Sequence, residues 1–153
     1  MAEYKGIGTY QPHQPKQRRD PNCIFCRIVD SKIPSFHVYK DENFEAFLDI
    51  TPLNPGHTIV VPKDHYRWVW DVPEAGKMFE VARKIAKAMQ KSLGTEWIVA
   101  VVIGEAVEHA HIQLIPRFAD DGHGGAINFS ARKELSKEQM EQAAEMLRKA
   151  LQE

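Results

Sequence analysis

Two imidazoles and an amide stand at alternate positions in Glu108-His109-Ala110-His111-Ile112-Gln113-Leu114-Ile115-Pro116-Arg117. Alternation of polar with apolar residues is the period of a strand buried on one face. His109, His111 and Gln113 should therefore share one side of a sheet, and Ala110, Ile112 and Leu114 the other. Same-side neighbours on a strand lie roughly 6.6 to 6.8 Å apart. That distance lets two histidines serve one site, or lets one hold a metal while the next reacts. A neutral imidazole is suited to attacking phosphorus, and an amide can donate a hydrogen bond without giving up a proton. Taken alone, the pattern also fits a half-exposed edge strand with incidental histidines.

The second chemical signal is Cys23-Ile24-Phe25-Cys26, which holds both cysteines of the chain. Thiolates at this spacing can contact one ion, and a structural zinc site takes four N/S ligands in a tetrahedron. The other two ligands must then come from distant histidines: His109, with either His57 or His65. A reduced thiol pair packed in the core and a redox pair are the alternatives. A redox Cys-x-x-Cys normally opens a helix after a strand in a βαβ setting, which the surrounding pattern lacks.

The elements that must position these groups can be read in order. Residues 1–20 are rich in Gly, Pro, Gln and basic residues without apolar period, which suits a mobile tail, with His13 a solvent histidine. Residues 23–29 suit a short helix with one sulfur-bearing edge, ended by Pro34. Residues 36–40 and 44–49 read as a hairpin, and 51–56 as a loop. Residues 57–62 are nearly continuous in β-branched and apolar character, as in a central strand covered on both faces. A long helix is expected from Asp71 to about Leu93, with Gly94 as its left-handed cap. Its apolar stripe is Met78, Val81, Ile85, Ala88 and Met89, and its basic face is solvated. Residues 97–103 form a strand that should pair antiparallel with the histidine strand, and 119–129 read as a flexible glycine-containing loop. Ser136 and Gln139 make a capping box for a last helix buried through Met140, Ala143, Leu147 and Leu151. The sum is an α+β fold, an antiparallel sheet of about five strands under two main helices, in one domain over residues 21–153.

With a formal net charge of −1 and interspersed Lys and Glu, the chain has no basic stripe to track polymeric nucleic acid. No apolar run reaches membrane-spanning length, and the start lacks a signal-peptide core. A soluble cytoplasmic protein without membrane partners is the expectation.

His-x-His-x-Gln followed by two apolar residues and Pro-Arg resembles the signature strand of the histidine triad (HIT) superfamily, usually His-φ-His-φ-His-φ-φ. Glutamine in the third place is similar to the branch of galactose-1-phosphate uridylyltransferases and diadenosine tetraphosphate phosphorylases. There the middle histidine is the nucleophile and the glutamine steadies the phosphate. Cys23–Val29, Lys32–Ser35, Glu45–Ile50 and Pro55–His65 match bacterial Hint-like members of the superfamily in order and spacing.

The resemblance implies a HIT-like fold whose sheet joins that of a second copy in a homodimer. It implies a structural Zn2+ on Cys23, Cys26, His65 and His109, with His111 and Gln113 as the catalytic pair. Asp49 would take the ribose hydroxyls, His57 would sit beside His111, and Ile24, Phe25, Ile28, Phe47 and Ile50 would line a purine pocket. The implied reaction is hydrolysis or nucleotidyl transfer at the α-phosphate of a purine nucleotide conjugate or dinucleoside polyphosphate, through a nucleotidyl-histidine. A zinc-stabilised nucleotide-binding or interaction module without turnover is the alternative. Two departures stand out: Gln113 cannot act as a general acid, and residues 100–107 lack the Asn and Gly/Ser-rich loop that wraps phosphate in Hint-like members.

Overall fold

A computed structural model describes residues 18–153, and most of the expected tail, His13 included, lies outside the described residues. The elements are α1 (Ile24–Val29), β1 (His37–Lys40), β2 (Phe44–Leu48), β3 (Thr58–Pro62), α2 (Ala75–Ser92), β4 (Ile98–Val101), β5 (Ile112–Pro116) and α3 (Lys137–Gln152). The five strands form one antiparallel sheet in the order β1-β2-β3-β5-β4. Among the described residues no helix is long and apolar enough to cross a membrane.

Alternation along the strands sorts the core into two faces. Ala46, Leu48, Val60, Ile112 and Leu114 point toward α2 and α3, where they meet Ile85, Met89 and Leu147. Phe47, Ile59 and Val61 point the other way, onto Phe25, Ile28 and the two cysteines of α1. Phe47, Ile59 and Gln113 lie in register across β2, β3 and β5, so Gln113 belongs to the α1 face. The chemistry therefore sits opposite the two long helices. β2 and β3 are buried along their whole lengths, as strands covered on both sides must be.

Three element boundaries differ from the sequence reading by two residues or more, each for a local reason. The long helix starts at Ala75 instead of Asp71, because Val69–Asp71 form a 3-10 turn and Val72, the residue before Pro73, is held extended. β4 stops at Val101, and Gly104 turns the chain with φ +75 where a Cβ would meet the Trp68 ring at 2.8 Å. β5 begins at Ile112, so His109, Ala110 and His111 run outside the ladder. Pro62, which would face Ala110 in the continued register, has no N–H to donate. Ala110 N–H instead donates to the Tyr66 carbonyl at 2.7 Å.

The last helix opens on the expected capping box: Ser136 Oγ accepts from Gln139 N–H at 3.1 Å, and Gln139 Oε1 accepts from Ser136 N–H at 2.8 Å. Such a cap stabilises a helix by about 1 kcal/mol. Near the start of the described chain, Arg19 is tied down, its Nε donating to Asp30 at 2.7 Å and its Nη1 to the Lys63 carbonyl at 2.7 Å.

Candidate functional site

Cys23, Cys26, His65 and His109 converge where α1 meets the approach to β5, with their ligand atoms all within 4.8 Å of one another. Cys23 caps α1, and its Sγ and that of Cys26 lie 3.4 and 3.5 Å from His109 Nδ1. His65 Nδ1 is 3.4 Å from Cys26 Sγ. A tetrahedral ion with bonds of about 2.3 Å to sulfur and 2.0–2.1 Å to nitrogen would set its S···N edges near 3.6 Å, so the four groups fit zinc. His109 Nε2–H donates to the Pro62 carbonyl at 2.8 Å, which turns the Nδ1 lone pair toward the thiols. Two backbone amides support the sulfurs: Asp20 N–H to Cys26 at 3.4 Å and Cys26 N–H to Cys23 at 3.5 Å. The hydrogen bond between the thiols splits the pair. With help from His109 it draws Cys23 down to about 3, while Cys26 is pushed up by Cys23 and by burial. A divalent ion would hold both as thiolates.

Two residues on, His111 is arranged the opposite way. Its Nδ1–H donates to the His109 carbonyl at 2.6 Å, leaving the Nε2 lone pair uncommitted among the described residues. Burial lowers its pKa from 6.5, so the ring is neutral near pH 7. Phe25 stands edge-on to both imidazoles, 5.2 Å from His111 and 5.9 Å from His109 between ring centres.

His57 orders the third member of the row. Leu53 N–H donates to His57 Nδ1 at 3.1 Å, so the proton sits on Nε2, which donates to Gln113 Oε1 at 2.9 Å. With its oxygen spoken for, Gln113 is left its NH2 to offer. His57 is fully buried, and burial lowers its pKa. The structure thus seats His57 against Gln113. Asp49 lies 3.8 Å from His57 Nε2, and its Oδ1 accepts from Thr51 N–H at 2.9 Å.

His111 and Gln113 line a cavity of about 420 Å³ whose other walls come from residues 103–106 and from Phe129 and Arg132. That volume lies in the range of small-ligand sites. Of the apolar residues assigned to a purine pocket, Phe25, Ile28 and Phe47 pack together beneath the site, while Ile24 and Ile50 are exposed, Ile50 at 71%.

Residues 119–129 correct one expectation, because this stretch is pinned. Arg117 and Asp121 form a buried pair, Nε to Oδ2 at 2.7 Å and Nη2 to Oδ1 at 3.1 Å, and Asp121 also accepts from Asn54 Nδ2 at 2.9 Å. The Arg117 guanidinium holds the Asp121 carboxyl far below the usual carboxylate range. His123 Nε2–H donates to the Leu53 carbonyl at 2.9 Å. The loop therefore braces the segment that presents His57. An Arg–Asp pair four residues apart was a visible signal for this brace. Nothing local announces Arg132, whose partners Asp49 and Thr51 lie more than 80 positions away.

Comparison with known proteins adds an independent line. The HIT domain family matches residues 30–120. The chain is 34% identical over 119 residues to the adenosine 5′-monophosphoramidase of Saccharomyces cerevisiae, covering 74% of this chain and 73% of that protein. It is 30% identical over 103 residues to an adenylylsulfatase of Arabidopsis thaliana, covering 63% of this chain and 52% of that protein. Among solved structures, a Zn-bound histidine triad family protein from Mycobacterium smegmatis matches with a TM-score of 0.70 and 32% identity, over 86% of this chain and 94% of that one.

Proposed function

The chain belongs to the HIT domain family, and from that premise we propose that it hydrolyses or transfers the nucleotidyl group of a purine nucleotide conjugate or dinucleoside polyphosphate. The observation that carries this reading is the His111 tautomer. A neutral ring whose Nδ1–H is fixed on a backbone carbonyl presents Nε2 as a nucleophile at a cavity.

In the first step Nε2 forms a bond to the α-phosphorus as the bond from phosphorus to the leaving group breaks, the electron pair departing with that group. The carbonyl of His109 stabilises the imidazolium so formed, and the Gln113 amide donates to a phosphoryl oxygen. Gln113 has no proton to give, which favours groups that leave as anions, such as phosphate or sulfate. In the second step an oxygen attacks phosphorus and His111 recovers its lone pair. A phosphate oxygen is already ionised and needs no base, whereas water must lose a proton to solvent. The site is therefore better suited to phosphate as acceptor than to water.

We also propose that Cys23, Cys26, His65 and His109 hold zinc, which supplies structural clamping with no open position for substrate. The outer edge of β4, which no strand among the described residues covers, has exposed Trp97 and Ile103 nearby and supports a homodimer joined at that edge. A second reading, nucleotide binding without turnover, is favoured by the acidic Glu105 in a wall that offers phosphate no Lys or Arg between residues 103 and 106. A panel of adenosine phosphoramidate, adenylyl sulfate and diadenosine tetraphosphate, each with and without inorganic phosphate, separates the two. Turnover that rises with phosphate and vanishes in His111→Ala is the expected result. Binding of AMP with no substrate consumed would select the second reading.

A further inference from the structure

Among the described residues that line the cavity, Arg132 is the one Lys or Arg. Its backbone surroundings are fixed: Lys133 N–H donates to the Pro52 carbonyl at 2.7 Å, and Lys133 Nζ to the Asp121 carbonyl at 2.6 Å. The Arg132 side chain itself remains 39% exposed above this anchored base. Its Nη1 donates to the Thr51 carbonyl at 2.8 Å and lies 3.3 Å from Asp49 Oδ2. The other Asp49 oxygen takes the N–H and hydroxyl of Thr51, at 2.9 and 3.2 Å. Oδ1 of Asp49 is thus taken by Thr51, and Oδ2, the oxygen open to a sugar hydroxyl, is shared with Arg132 while Arg132 keeps its place. An exposed ion pair of this kind is weakly held and screened by salt, so it exchanges readily for a stronger anion. A guanidinium spans two phosphate oxygens in one plane.

We propose that Arg132 is the phosphate-selecting residue of this site: it releases Asp49 as a nucleotide enters and pairs with the substrate's phosphate. Oδ2 of Asp49 is thereby freed for the sugar. The inference rests on the nucleotidyl-transfer reading and adds to it a specificity, for phosphate-bearing nucleotides over nucleosides.

The test is calorimetric titration of the full, zinc-loaded protein with AMP and with adenosine at low and moderate salt. Arg132→Ala should weaken AMP by about tenfold, the cost of one charged hydrogen-bonding partner. Adenosine should bind as well as before or better, since Oδ2 of Asp49 is no longer shared. Arg132→Lys should recover part of the AMP affinity and steepen its loss with salt. Unchanged AMP affinity in Arg132→Ala, or an equal loss for AMP and adenosine, would overturn the proposal. If the unaltered protein bound neither ligand, the nucleotide reading itself would fall, a result distinct from failure of the arginine alone.

Discussion

His109 and His111 are the same side chain, two residues apart, packed against the same phenyl ring, and they are hydrogen-bonded in opposite senses. His109 gives its Nε2–H to Pro62 and turns Nδ1 to the cysteines, whereas His111 gives its Nδ1–H to the His109 carbonyl and keeps Nε2 free. The β3–β5 ladder ends at the Val60–Ile112 pair, so neither Pro62 nor His109 is paired across it. The lesson is that residue type and spacing bring two imidazoles to one place, and the nearest backbone acceptor decides which nitrogen keeps its lone pair.

Exchanging the two histidines for alanine is the harshest way to break this comparison. His111→Ala should lower turnover by at least about 10³-fold, as loss of a nucleophile does, with bound zinc and melting temperature preserved. His109→Ala should lose zinc and stability together, on the scale of several kcal/mol, and activity only in consequence. Metal analysis beside thermal melting reads both. Equal effects on metal content would show that the two rings are not divided as described.

Arg117→Ala comes next in size. It would leave Asp121 charged and buried without its partner, at about 3–5 kcal/mol, and should lower the melting temperature by about 10 °C. Amide exchange should quicken in residues 118–124 before it does in β2. Gln113→His sharpens the contrast from the His111 side. Supplying a proton donor should raise turnover of substrates with amine leaving groups by about 10²-fold, with little gain for sulfate or phosphate leaving groups.

The smallest effect is on pH. His57 has its pKa lowered below 6.5 by burial, so imidazoles of the unfolded chain bind protons first as pH falls through 6.5. The unfolded state then holds more protons, and stability declines in the window just beneath that value. Urea denaturation at pH 7.5 and 5.5 should register this loss, and His57→Asn should lessen it.

Much of the frame was legible from alternation alone. The five strands, the stripe Met78-Val81-Ile85-Met89 and the Ser136–Gln139 box all follow from local pattern. The shared side of His109, His111 and Gln113 was also readable, although the first two lie before the strand. Boundaries set by prolines shifted because Pro62 and Pro73 act on neighbours that periodicity does not weigh. Arg132 was beyond reach because its meaning comes from Asp49, 83 positions earlier.

The division between the two rings can be tested by mixing zinc-loaded protein with α-32P-labelled adenylyl sulfate, quenching in base and mapping the labelled peptide. The account predicts label on His111, none on His109 and none in His111→Ala. Substrate consumed without labelled protein, or label on any other side chain, would contradict it.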